Sequence, residues 1–268
     1  MPEIDLSAAN TLSPHELARY ARQIGPGVLT IEGQARLKAA RVLVTRAGGV
    51  GGPAAQALVM AGVGRVVLAH GGALHTADLN RQVLGAEDLV GQGRAVPFAR
   101  RLQKLNRFVT VEAIDHEPDQ QEALRLAREV DLILSCAPTF AERLCLNRAA
   151  VAAGVPLIDA AQWGLTATLM VLVPGHTACL RCVYPEDPPF EESFPVLGAI
   201  SAAVGSLAAL EAIKLLSGCG EVLAGRLWLI DAYQGRNTQV QLQARADCPE
   251  CGAAPPARAT GPAASPCP

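Results

Sequence analysis

Two pairs of cysteines have the residue type and spacing of a metal site. Cys179 and Cys182 form one Cys-x-x-Cys motif, and Cys248 and Cys251 form a second. Four thiolates from two tight loops complete a tetrahedral zinc set and leave no open position for a substrate. The sequence therefore predicts a structural zinc ion that ties two distant segments together, with unligated surface cysteines as the alternative. We expect the remaining cysteines to be ordinary thiols of a reduced, cytoplasmic protein: Cys136, Cys145, Cys219 and Cys267.

A glycine-rich turn follows an apolar strand. Residues 46–52 read Arg-Ala-Gly-Gly-Val-Gly-Gly, after the predicted strand 42–45 and before an apolar helix. A strand, a glycine turn and a helix place backbone N–H groups and a helix N-terminus around a phosphate. By itself the turn is weak evidence for nucleotide binding, because tight strand-to-helix packing also favours glycine.

Short apolar segments alternate with helical ones around this turn. The predicted strands are 42–45, 66–69, 108–114, 132–135 and 157–160, and the predicted helices between them are 52–61, 95–105, 120–128 and 141–153. Short, continuously apolar strands with helical crossovers are typical of a parallel sheet covered on both faces. The fold prediction is a doubly wound, mostly parallel, Rossmann-like α/β sheet.

Composition and pattern divide the chain into four parts. Residues 1–40 are predicted to carry two N-terminal helices, the first starting at a Ser13 cap and ending at Gly25. Residues 41–162 form the nucleotide-binding-type domain. Residues 163–252 form its zinc-stapled, partly antiparallel C-terminal portion, in which Trp163 and Trp228 are predicted to be packing residues. Residues 253–268 are a Pro/Ala-rich tail that is predicted to be disordered.

Charge and hydropathy argue against two classes of partner. The net charge is −2 and no block of like charge is present, so neither nucleic acid nor an anionic membrane is indicated. The acidic start of the chain lacks the pattern of a signal peptide. The uncharged stretch 194–210 is short for a bilayer, and we interpret it as part of a buried helix.

Together these motifs resemble the ThiF/MoeB/HesA family of bacterial relatives of ubiquitin-activating enzymes. The resemblance covers 12–252 and includes Arg-Tyr-x-Arg-Gln at 19–23, the glycine turn, Leu-x-Arg-Gln at 79–82, Gly-Ser-Leu at 205–207 and both cysteine pairs. It implies a homodimer, with residues 1–40 as the dimer arm. It also implies that the protein uses Mg-ATP to adenylate the C-terminal Gly-Gly carboxylate of a ubiquitin-like sulfur-carrier protein.

The resemblance also assigns roles by position. Arg22 falls on the arginine that crosses the dimer interface to the partner's ATP, Arg81 on the arginine of Leu-x-Arg-Gln, and Arg94 on a lysine that contacts phosphate. Three positions match the glycines of the family turn: Gly48, Gly49 and Gly51.

Other positions depart from the family pattern. The first glycine of the turn is Arg46, where a left-handed backbone would cost about 1–2 kcal/mol. The ribose-binding aspartate is replaced by His70, which we interpret as a structural histidine, and a second aspartate by Gly72. The asparagine of Asn-Leu-x-Arg-Gln is Asp78, and the metal-binding aspartate is Pro138.

These substitutions predict a cationic pocket without a magnesium ligand. The leading hypothesis is a degenerate relative that docks a carrier protein, or pairs as a heterodimer with an active homologue. The second is an active adenylyltransferase whose metal and ribose contacts have moved, with Asp78, Glu87 and Asp88 as the nearest candidate replacements. The third is a pocket for another anionic ligand bound without metal.

The chain also differs from some relatives at a sulfur-handling cysteine. At that position this chain has Phe194 or nearby Ser193.

Overall fold

The computed structural model describes residues 11–189 and 194–252. The predicted disordered tail, Ser193 and Cys267 lie outside these ranges. The strands are Arg41–Thr45 (β1), Arg65–Ala69 (β2), Thr110–Ile114 (β3), Leu132–Ser135 (β4), Leu157–Trp163 (β5), Thr166–Leu172 (β6), Arg226–Asp231 (β7) and Arg236–Gln241 (β8). They form one sheet in the order β3-β2-β1-β4-β5-β6-β7-β8.

Strand direction changes part-way across this sheet. Strands β1 to β5 pair in parallel, and the pairs β5–β6, β6–β7 and β7–β8 are antiparallel. The predicted doubly wound sheet with a partly antiparallel C-terminal portion is therefore confirmed. The β5–β6 pairing also makes one continuous sheet of the two segments that the sequence analysis separated at residue 162.

The described part of the chain contains eight α-helices. They are Pro14–Tyr20 (α1), Ile31–Ala39 (α2), Gly51–Ala61 (α3), Ala95–Gln103 (α4), Gln120–Glu129 (α5), Phe140–Ala153 (α6), Leu180–Val183 (α7) and Gly198–Ser217 (α8). Side-chain caps start several of them: Ser13 forms the predicted capping box at α1, Asp119 caps α5 and Thr139 caps α6.

The first helix ends earlier than predicted. It stops at Tyr20, because the N–H groups of Gln23 and Ile24 both bond the Tyr20 carbonyl at 2.9 and 3.0 Å and close a turn. The turn lets the Gln23 amide reach the Ala61 carbonyl at 2.8 Å. Arg22 therefore lies beyond the helix, on the exposed surface.

The strands bury both faces, as the continuous apolar pattern predicts. Val42 and Val44 of β1 face a cluster shared with α3 and α8, and Leu43 between them faces a cluster shared with α5 and α6.

Helix α8 lies in the first of these clusters. Its 20 residues are long and apolar enough to cross a membrane, but 56% of its most apolar window is buried in this fold. It also crosses very close to the glycine turn, since a Cβ on Gly205 would lie 2.2 Å from the Val50 carbonyl oxygen. We therefore interpret α8 as a core helix.

Candidate functional site

A cavity of about 450 Å³ lies at the carboxyl ends of the parallel strands. The strand order reverses there, because β2 follows β1 on one side and β4 joins it on the other. Ligands of open α/β sheets bind at such a switch point. Most of the predicted nucleotide-site positions line the cavity: Arg46, Gly48, Gly49, His70, Asp78, Arg81, Arg94 and Pro138.

Three predicted positions do not line it. Gly51 is the first residue of α3, and a Cβ there would lie 2.5 Å from the Arg46 carbonyl oxygen, so this glycine serves the tight turn. Gly72 has φ +75° and open space around it. Arg22 is exposed and lies outside the cavity of its own chain.

Arg46 takes the left-handed conformation that its position predicts, with φ +56°. Its side chain joins the two sides of the crevice. On one side, Nε and Nη2 each donate to Glu142 of α6 at 2.7 Å. On the other, Nη1 lies 2.5 Å from Glu117, which follows β3 and accepts from the Gly71 N–H. Burial acts to lower the pKa of Arg46, but the hydrogen bonds and charges of Glu142 and Glu117 outweigh burial and raise it.

Asp78 contacts the two arginines, Arg81 and Arg94, that form another wall of the cavity. It accepts from Arg81 at 2.9 Å and lies 3.1 Å from Nη2 of Arg94, and the His75 N–H donates to it at 2.9 Å. Arg94 also donates to the Ala73 carbonyl through Nε and Nη2, at 2.9 and 2.6 Å. Both arginines are therefore held in fixed positions by one carboxylate and by backbone oxygens.

His70 is a neutral, buried member of the same wall. Its Nε2 lies 2.9 Å from Nη1 of Arg94. Arginine can only donate, so Nε2 accepts and the ring proton is on Nδ1. Burial, together with the charges of Arg94 and Arg46, lowers the pKa of His70 to about 3. The interpretation of His70 as a structural histidine agrees with this environment.

A buried ion pair that the sequence analysis missed completes the cavity wall. Arg143 of α6 donates to both oxygens of Asp159 on β5, at 2.9 and 2.5 Å. Its guanidinium also lies over the rings of Phe140 and Tyr184, at 4.3 and 5.6 Å from their centroids. Asp159 pairs with Ser135 at the end of the parallel β4–β5 ladder. A carboxylate at the end of a parallel strand was therefore the sequence signal that could have identified Asp159 as a site residue.

The prediction of an unbalanced cationic pocket is therefore wrong. The cavity has four arginines, at positions 46, 81, 94 and 143, and each contacts at least one carboxylate. The carboxylates come from parts of the chain that are distant in sequence: Asp78, Glu117, Glu142 and Asp159.

The residues at this site do not fit a magnesium ion. Within residues 11–189 and 194–252, Asp78 is the one carboxylate that lines the cavity, and arginines and a backbone N–H occupy it. Pro138 offers no side-chain ligand. Glu87 and Asp88, the proposed replacements, are exposed on a short 3₁₀ turn away from the cavity. Magnesium prefers oxygen ligands that are free to coordinate it.

An aromatic pair forms the outer part of the cavity wall. Trp163 stacks on Phe194 with centroids 5.8 Å apart and an interplanar angle of 22°. Trp163 is 47% exposed, so the prediction that it is a packing residue is wrong, whereas Trp228 does pack against the core. Trp163 ends β5, which runs three residues past its predicted end and carries the ring to the cavity.

The four predicted metal-binding cysteines come together. Their Sγ atoms all lie within 4.8 Å of one another, with Cys179–Cys248 at 3.7 Å and Cys182–Cys251 at 3.4 Å. A zinc ion with Zn–S bonds of about 2.3 Å needs sulfurs about 3.8 Å apart, so the cluster can hold a metal ion. Among the described residues it is the one such group.

Helix α6 fixes both cysteine loops. The Asn147 side chain accepts from the Leu180 N–H at 2.8 Å and donates to Glu250, which lies between the second pair of cysteines.

Outside the cluster, Cys136 is buried and Cys145 is half-buried, as expected of ordinary thiols.

The sequence of this chain is similar to those of known proteins over most of its length. The family model described as "ThiF family" matches residues 20–252. The chain belongs to the ThiF family. Protein HesA (heterocyst) of Trichormus variabilis is 41% identical over 242 residues, which cover 90% of this chain and 91% of that protein. The sulfur carrier protein adenylyltransferase of Thermus thermophilus is 38% identical over 254 residues, covering 91% and 93%.

Two further similarities cover less of the other protein. Adenylyltransferase and sulfurtransferase MOCS3 of Sus scrofa is 36% identical over 261 residues, which are 95% of this chain but 57% of that protein. The crystal structure of E. coli MccB with AMPCPP and MccA superposes with a TM-score of 0.75 at 24% identity, covering 83% of this chain and 69% of that one. This last similarity shows the fold alone.

Proposed function

We propose that this ThiF-family protein is a binding or regulatory subunit of a sulfur-carrier pathway and does not itself adenylate with Mg-ATP. It docks the tail of a ubiquitin-like sulfur-carrier protein that ends in Gly-Gly, or pairs with an active homologue. Two relatives support the pathway: one is named a sulfur carrier protein adenylyltransferase, and the other is named adenylyltransferase and sulfurtransferase MOCS3.

One observation carries the proposal: the carboxylates around the cavity are already engaged. Asp78 is held by Arg81 and Arg94, and Glu142 is held by Arg46 through two hydrogen bonds. A magnesium ion would have to displace these guanidinium groups before it could bind. Without the metal, phosphoryl chemistry lacks several kcal/mol of charge stabilisation at the reacting phosphorus.

The proposal also includes a bound metal ion, a cellular compartment and an oligomeric state. We propose that the cysteine cluster binds a structural zinc ion, because thiolate sets of this geometry prefer zinc. Free cysteines suit a reducing compartment, which favours the cytoplasm. We also propose a dimer, in which the exposed Arg22 reaches the neighbouring subunit's cavity.

An active adenylyltransferase is the second candidate. The glycine turn and the similarity to adenylyltransferases favour it, because Gly48 and Gly49 leave the turn free for close approach of a ligand. In that case the metal ligands would be supplied by residues that rearrange when nucleotide binds.

ATP–pyrophosphate exchange with the cognate carrier protein separates the two candidates. The proposal predicts carrier binding by the wild-type protein without exchange above the level of a carrier-free control. Exchange at ordinary enzyme rates would establish the second candidate instead. An intact family member assayed beside it shows that the carrier preparation is competent.

A further inference from the structure

Helix α6 connects the cysteine cluster to the cavity. Near its end, Val151 is buried in one apolar cluster with three of the four cysteines. In its middle, Asn147 bonds to both cysteine loops. Its first turn carries Phe140 and Arg143, which line the cavity. A single helix of 14 residues, about 21 Å long, therefore contacts the cluster at one end and the cavity at the other.

A second connection passes through Tyr184. This residue ends the short helix α7, which starts at Cys179 and contains Cys182. The Tyr184 N–H donates to the Leu180 carbonyl at 2.9 Å, and the Cys182 N–H donates to the Cys179 carbonyl at 3.0 Å. Tyr184 and the first cysteine pair thus belong to one hydrogen-bonded turn. Any displacement of this pair carries the Tyr184 ring with it.

The Tyr184 ring supports two residues of the cavity wall from behind. It meets the Phe140 ring edge to face, with centroids 4.8 Å apart and an interplanar angle of 65°. The Arg143 guanidinium lies 5.6 Å from its centroid. Tyr184 itself does not line the cavity. Its effect on the cavity therefore passes through Phe140 and Arg143.

A metal ion at the cysteine cluster would fix the position of this turn. The two cysteine pairs lie 69 residues apart in sequence, and their four Sγ atoms are all within 4.8 Å of one another. Four metal–sulfur bonds would join the two loops, and the ordering of such loops is coupled to metal binding. The order of residues 179–184, and with it the position of the Tyr184 ring, then depends on whether the cluster is occupied.

We propose that Tyr184 is a positioning residue that couples metal binding at the cysteine cluster to the cavity wall. With a metal bound, Tyr184 holds Phe140 and Arg143 in place and keeps the first turn of α6 ordered. The same turn carries Glu142, the partner of Arg46. Without the metal, this turn opens more often. The coupling is reciprocal, so a disturbed cavity wall also weakens retention of the metal. This inference is independent of the proposed function, because it applies to whichever ligand the cavity takes.

Hydrogen exchange of the zinc-loaded, full-length protein tests the inference at the first turn of α6. Tyr184→Ala removes both ring contacts, so amides 142–146 should exchange about three- to tenfold faster than in the wild type. Tyr184→Phe keeps the ring and should exchange like the wild type. Metal analysis should find one zinc ion per chain in all three proteins. Amides 98–103 of α4, which packs on the opposite face of the sheet, are the internal control and should not change.

Zinc release to a chelating dye tests the reciprocal effect. Phe140→Ala changes the cavity wall that Tyr184 supports, and it should release zinc at least about threefold faster than the wild type. The matched control is Arg81→Gln, which changes another wall of the same cavity and should release zinc at the wild-type rate.

Two results would overturn the inference. One is exchange of amides 142–146 in zinc-loaded Tyr184→Ala that is unchanged, or that rises equally in α4. The other is an unchanged rate of zinc release from Phe140→Ala, which also decides the matter if Tyr184→Ala does not retain zinc. Neither result alters carrier binding or ATP–pyrophosphate exchange, so the proposed function is tested separately.

Discussion

Replacing Arg46 with glycine removes backbone strain and two ion pairs in one step. A non-glycine residue at φ +56° costs about 1–2 kcal/mol of backbone strain. Glycine removes this strain, but the gain in stability is only partial because glycine loses more chain entropy on folding. Against this stands the loss of contacts to Glu142 and Glu117. The side chains of Arg46, Glu142 and Glu117 are 24, 23 and 33% exposed, so the contacts together are worth roughly 2–3 kcal/mol, between the values for buried and for surface pairs.

We therefore expect Arg46→Gly to unfold with a free energy about 1–2 kcal/mol below that of the wild type. Arg46→Ala loses the same contacts and keeps the strained backbone, so it should be less stable than Arg46→Gly by about 1 kcal/mol. Urea denaturation at pH 7, followed by circular dichroism, measures all three proteins.

The same variant should acquire a divalent-cation site. Glu117 and Glu142 both contact the single guanidinium of Arg46, so its removal leaves two neighbouring carboxylates free for a hard cation. At Mg²⁺ or Mn²⁺ ten times the Kd, linkage would stabilise Arg46→Gly by about 1.4 kcal/mol. The wild type and Arg46→Lys should show no such gain.

Two results would refute this reasoning about Arg46. One is equal stability of the glycine and alanine variants, which would remove the role of strain. The other is equal stabilisation of the wild type by Mg²⁺, which would mean that the arginine does not occupy the carboxylates.

Two further predictions concern the metal cluster and His70. Cys248→Ser should lower the metal content of the purified protein from one ion per chain towards zero and lower the thermal midpoint, measured by metal analysis and calorimetry, whereas Cys145→Ser should change neither. Because the pKa of folded His70 is about 3, the unfolded chain binds one more proton than the folded chain between about pH 6.5 and pH 3. His70 therefore makes stability fall with decreasing pH in that window, by up to about 1.4 kcal/mol per unit. Denaturation series at pH 7, 6 and 5 should show a shallower decline for His70→Gln, and identical slopes would contradict the assignment.

The sheet and the cysteine cluster were predictable because their signals are local. Strand β1 reads as a short apolar run that both faces of the sheet bury. Each cysteine pair carries its own spacing, and the left-handed conformation of Arg46 follows from its place in the turn. Such signals depend on neighbouring residues, so one sequence is enough to read them.

The charge balance of the cavity was not predictable in the same way. The partners of Arg46 follow β3 and start α6, far along the chain, and only the fold brings them to the end of β1. Counting the retained arginines against the missing aspartates therefore gave a cationic pocket that does not exist. The exposure of Trp163 was missed because it depends on how far β5 extends.

Calorimetric titration of the wild-type protein with ATP, in the presence and absence of Mg²⁺, tests the central claim most directly. If arginines occupy the carboxylates of the cavity, ATP should bind weakly and Mg²⁺ should make no difference to the heat. Stoichiometric binding of ATP that depends on Mg²⁺ would show that the site still holds the metal, and would contradict this account.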